Sequence, residues 1–69
     1  MSRKKQLYAL ALAAGGAFPD AVAWLAAGQT AGYTGHGDLA GFFGGRKPSM
    51  VRLPDGRRAL TADGRRRAG

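Results

Sequence analysis

From Leu7 to Ala27 the chain is apolar but for one break, where Gly15-Gly16 and Pro19-Asp20 fall in its middle. That break decides what the segment can become. A membrane-spanning helix needs about 20 continuous apolar residues. Two glycines, a proline and a carboxylate inside the stretch rule one out. Two short helices joined by a turn are expected instead. The first reads from Arg3 to Ala14 and is rich in the strong helix formers Ala and Leu. Leu7, Leu10, Ala11 and Ala14 recur at helical spacing on one apolar stripe, which Tyr8 and Leu12 widen. Gly15-Gly16 ends it, because glycine takes the left-handed conformation of a C-terminal cap. The second reads from Pro19, suited to a first helical position, to Ala27. Asp20 lies at the positive end of its dipole. Val22, Leu25 and Ala26 form its expected buried stripe, with Trp24 on another face as a core or lid residue and Gly28 as the stop.

Downstream, Gln29–Gly37 reads as a glycine-rich loop. A third helix is expected from Gly37 or Asp38 to Phe43, with Leu39, Phe42 and Phe43 on one face. Gly41 inside it and Gly44-Gly45 after it make it weak by propensity, so packing must hold it. Ser49–Leu53, Pro54-Asp55-Gly56 and Arg57–Thr61 then spell a hairpin closed by a type I turn with a glycine bulge. The implied register sets Leu53 opposite Arg57, Arg52 opposite Arg58, Val51 opposite Ala59 and Met50 opposite Leu60. Thr61 caps a short helical turn, and residues 65–69 read as a mobile basic tail. The expected fold is α+β and mainly α: three short helices followed by a two-stranded hairpin, one small domain over residues 1–64.

The charges are segregated. The net charge is +7, yet residues 6–45 hold no Lys or Arg. One basic block is Arg3, Lys4 and Lys5; the other is Arg46, Lys47, Arg52, Arg57, Arg58, Arg65, Arg66 and Arg67. Arg outnumbers Lys 8 to 3, and its planar fork suits phosphate. An apolar middle with basic ends fits a polyanionic partner. Arg52, Arg57 and Arg58 at one hairpin tip repel one another unless an anion or bulk water separates them. Composition also excludes much. With no Cys there is no disulfide and no thiolate metal site. With His36 as the single His, no multi-histidine metal site forms. No Glu is present, and Ser2 and Ser49 are the only serines, so no nucleophile–base constellation can be assembled from neighbouring residues. The glycines at 32, 35, 37, 41, 44 and 45 do not end in the Lys-Ser/Thr of a phosphate-binding loop. An enzyme, a bound cofactor and a metal are therefore not expected.

Two other readings attach to the N-terminus. Ser2-Arg3-Lys4-Lys5, the apolar run Leu7–Ala14 and Ala21-Val22-Ala23 resemble the regions and cleavage pattern of a signal peptide. Cleavage there would leave 46 residues without Cys, few for a stable secreted domain. A helix lying on anionic lipid could use Arg3, Lys4 and Lys5, but it lacks a long basic face. The expected location is cytoplasmic, with no membrane partner.

Three helices and a hairpin follow the element order of a winged helix-turn-helix domain. The segment Asp55-Gly56-Arg57-Arg58-Ala59-Leu60-Thr61-Ala62-Asp63-Gly64-Arg65 resembles the wing of MarR-type and PadR-type regulators. In those an Asp/Gly/Arg turn leads to a strand ending Leu-Thr, two variable residues and Gly-Arg. The resemblance covers about 15 residues closely and the remainder by element order only. It implies duplex DNA binding, with Arg57 and Arg58 as wing contacts and Arg46 and Lys47 gripping the backbone. Thr34, His36 and Asp38 would start the recognition helix, which carries no Lys, Arg, Asn or Gln to read bases. Phosphate contacts from these residues and from Arg3, Lys4, Lys5, Arg52, Arg65, Arg66 and Arg67 would then dominate, giving salt-sensitive binding. An acidic protein docking on Leu39–Gly45 and the basic residues, or a structured RNA, would satisfy the same charge pattern. The chain lacks the long dimerisation helices of those regulators, so a homodimer would need another surface.

Overall fold

Ser2 opens α1 (Arg3–Ala13) by accepting a hydrogen bond from the Lys5 amide at 3.2 Å in the computed structural model, which describes all residues Met1–Gly69. The helix stops where the glycine pair requires it. Gly15 and Gly16 take φ of 81° and 93°. Their amides return to the carbonyls of Leu12 at 3.0 Å and Ala11 at 2.8 Å, which satisfies two of the helix's free acceptors. The chain then makes a strand absent from the sequence reading, β1 (Ala17–Phe18). Two residues carry no alternating pattern, so no local signal marks it. It exists because the Leu60 amide reaches the Gly16 carbonyl at 2.8 Å and the later hairpin supplies a partner.

Helix α2 (Ala21–Thr30) starts two residues later than expected and ends three later. Asp20 is its N-cap, accepting from the Ala23 amide at 2.9 Å, and Pro19 precedes the helix. Its buried face also differs. Val22 is 76% exposed and Trp24 1% exposed. A short helix can bury one stripe, and the stripe that holds Trp24 removes the most apolar surface from water. Gly28 does not stop the helix. It lies within it, on the Trp24 face, where a Cβ would come within 2.7 Å of Leu39 Cδ1.

Next come α3 (His36–Leu39) and a 3₁₀ turn over Ala40–Phe43. Leu39 and Phe42 are buried and Phe43 is partly so, as their shared face predicts. The glycine-rich sequence leaves the third helix irregular, and aromatic packing holds it. All six aromatic residues join one network. Trp24 meets Phe18, Phe42 and Phe43 with centroids 5.3–5.8 Å apart. Phe42 meets Tyr8 and Tyr33 edge-on at 5.7 and 5.4 Å. Such pairs contribute about 0.5–1.5 kcal/mol each beyond the area they bury.

The hairpin pairs β2 (Met50–Arg52) with β3 (Arg58–Leu60) in the expected register: Met50 with Leu60, Val51 with Ala59, Arg52 with Arg58. The turn closes through the Gly56 amide to the Leu53 carbonyl at 2.9 Å, with Gly56 at φ 93°, and the Leu53 amide reaches the Arg57 carbonyl at 2.8 Å. Strand β3 is central in a three-stranded antiparallel sheet of order β1-β3-β2. The pleat puts Phe18, Met50 and Leu60 on the core face and Ala17, Val51 and Ala59 on the other.

Residues 65–68 are not the expected tail. Thr61 caps as predicted, accepting from the Gly64 amide at 3.0 Å, but the helix runs on as α4 (Ala62–Ala68) and packs against α1. The basic run can stay helical because Ala68 seats on the core and the Arg65–Arg67 charges lie at the negative end of the α4 dipole. No helix of the chain is long and apolar enough to cross a membrane.

Candidate nucleic-acid interface

Arg52 and Arg58 face each other across the hairpin, on the sheet face that also carries Met50 and Leu60. The Arg52 guanidinium sits over the Phe43 ring, 3.9 Å from its centroid. Arg58 is half-buried in the row Phe18–Arg58–Arg52. One of its terminal nitrogens donates to the Gly56 carbonyl, and its Nε is sealed from solvent without an acceptor. Neither arginine has a carboxylate partner. The fold therefore sets two like charges at facing strand positions, which repel each other unless an anion or water separates them.

Arg57 is placed differently. Asp55 accepts from its backbone amide at 3.1 Å and from its Nε at 2.7 Å. Those two hydrogen bonds, the amide first, lower the Asp55 carboxyl below its ordinary value. The pair is exposed, so it organises the tip more than it stabilises the fold. Arg46 and Lys47 lie exposed and unpaired in the segment leading to β2.

The other predicted positions divide in two. Lys4 and Lys5 are exposed on the first turns of α1 without carboxylate partners. Arg3 is engaged internally. It pairs with Asp38 at 3.2 Å, donates to the Gly32 carbonyl at 3.4 Å and lies 4.2 Å from the Tyr33 centroid. Asp38 also accepts from the Thr34 amide at 3.0 Å, so Thr34 and Asp38 hold the start of α3 in place. His36 is exposed at that start. On α4, Arg66 pairs with Asp63, Arg65 lies over Gly16, and Arg67 points to a cavity beside α1. Three of the eleven basic side chains are thus tied to carboxylates and eight have no carboxylate partner. The platform under Arg52 was invisible in the sequence, since Phe43 lies nine positions away and had a core assignment.

Burial raises the Tyr33 phenol above its ordinary value of 10.0; Arg3 opposes the shift, and Asp38 and Tyr8 add to it. Known protein families, curated proteins and solved structures contain no match to this chain.

Proposed function

We propose that this chain is a small nucleic-acid-binding module of winged-helix type that grips duplex DNA through its hairpin. The element order supports the reading: three helical segments, a hairpin after them, and a strand between the first two helices that fastens the hairpin to the body. The observation that carries it is the Arg52–Arg58 pair, set opposite each other with no carboxylate on the protein to neutralise them. Arg46 and Lys47, free and just upstream, extend the positive surface. The exposed residues of α3 and the 3₁₀ turn, His36, Gly37, Asp38, Ala40 and Gly41, offer little for base readout, since Asp38 is already bound by Arg3 and Thr34. Binding is therefore driven by phosphate contacts and carries weak sequence preference.

Fluorescence polarisation with random duplex DNA at two salt concentrations tests this. The R52A/R58A variant is expected to weaken binding and to reduce the salt slope by about 1 per lost phosphate contact. R57A is expected to matter less, because Arg57 is already neutralised by Asp55. A double variant that binds like the parent overturns the wing assignment. Binding of an acidic protein with no binding of nucleic acid replaces it with the interaction-module reading.

A further inference from the structure

A cavity of about 370 Å³ opens where the start of α1, the 3₁₀ turn and the end of α4 meet. That is within the usual size range of small-ligand sites. Its walls carry more positive than negative charge: Arg3, Lys4 and Arg67 against Asp38. The first two amides of α1, those of Arg3 and Lys4, make no hydrogen bond within the chain. They belong to a helix of 11 residues, whose dipole places partial positive charge there.

A second observation is independent of that helix end. Tyr8 and Tyr33 are 4% and 6% exposed, both line the cavity, and neither hydroxyl finds a hydrogen-bond partner in the protein. Neither hydroxyl is sealed from solvent, so the small exposed part of each residue leaves its phenol open to a partner in the cavity. Asp38 adds direction. Its Oδ2 takes every bond the protein offers, from Arg3 and Thr34, and its Oδ1 takes none.

We propose that this cavity binds a small phosphate monoester that also carries hydroxyl groups, the chemistry of a sugar phosphate. The phosphate would be held by Lys4, Arg67, the two free amides and the tyrosine hydroxyls. A ligand hydroxyl would donate to Asp38 Oδ1. Asp38 disfavours a bare anion and favours one that brings a donor, which separates this ligand from inorganic phosphate. The site is distinct from the hairpin arginines and stands whether or not the hairpin binds DNA.

The test is an amide-resolved NMR titration of the full chain at constant ionic strength with glucose 6-phosphate, inorganic phosphate and glucose. Saturable shifts at Arg3 and Lys4 are expected with glucose 6-phosphate, at roughly tenfold higher affinity than with inorganic phosphate, and none with glucose. Y8F and R67A should each lower the affinity roughly tenfold. D38N should bring glucose 6-phosphate down to the level of inorganic phosphate. Arg67 lies on the exposed end of α4, so R67A keeps the test decisive if a tyrosine variant does not fold. R52A/R58A should leave this binding unchanged, which separates it from the hairpin. Shifts that do not saturate, or equal affinity for the two phosphates, overturn the proposal. So does displacement of glucose 6-phosphate by a short duplex DNA, which would make the cavity part of a nucleic-acid surface.

Discussion

Gly64 marks the tightest contact between α4 and the rest of the molecule. A Cβ there would overlap the Ser49 carbonyl, which is backbone and already accepts from the Thr61 amide at 3.0 Å. G64A is expected to destabilise the fold by about 1–3 kcal/mol through overpacking. Thermal unfolding should show it as a fall of roughly 4–8 °C per kcal/mol. Gly37 on α3 has open space around it and no positive φ, so G37A should hold or raise the melting temperature. A second prediction concerns Tyr33. Its phenol is raised by burial, so the folded chain keeps the proton after the unfolded chain has released it. The stabilisation is complete below about pH 10 and is lost as pH climbs through the folded value. Thermal melts from pH 9 to 11 should therefore fall more steeply for the parent than for Y33F; parallel curves would remove Tyr33 as the cause. In the sequence Tyr33 is one residue of a glycine-rich loop. Its burial depends on Phe42 and Arg3, nine and thirty positions away.

Thr61 joins two elements. Its hydroxyl accepts from the Gly64 amide at 3.0 Å to start α4, and donates to the Pro48 carbonyl at 2.6 Å to anchor the segment before β2. T61V removes both bonds while keeping the shape, so a loss of about 1–3 kcal/mol is expected. Denaturant unfolding measures it, and an unchanged midpoint would show that water replaces both bonds. The hairpin itself was legible. Pro54, Asp55 and Gly56 define the turn, and the turn defines which residues face each other. Strand β1 was not legible, because its two residues become a strand only when Arg58 and Ala59 lie alongside. The extent of α4 was hidden for a related reason. Three consecutive arginines look like a solvated end, and only α1 gives their backbone a surface to fold on.

The Cα radius of gyration is 10.6 Å, against about 11 Å expected for a folded domain of this length. That agreement requires α4 to lie on the body. Trp24 belongs to α2 yet touches aromatic residues of β1 and the 3₁₀ turn, so its environment reports the whole core. Tryptophan fluorescence and far-ultraviolet circular dichroism are therefore expected to melt together in one transition. Separated transitions would show that the hairpin or α4 unfolds independently of the aromatic centre. At this scale the free charge is also distributed, with Lys4 and Arg67 at the cavity and Arg46, Lys47, Arg52 and Arg58 around the hairpin. The linear sequence shows two basic blocks; the folded chain divides them between the cavity and the hairpin.

Local chemistry was enough to determine the first helix, the hairpin register and the Thr61 cap. Each depends on residues within a few positions of one another, where turn geometry and helix capping act. The tertiary structure alone decided which face of α2 is buried, whether residues 17–18 form a strand, how far α4 runs and which arginines remain free. Those outcomes depend on contacts between distant segments. There the large area buried by Trp24, and the few carboxylates available to eleven cations, outweigh any local preference.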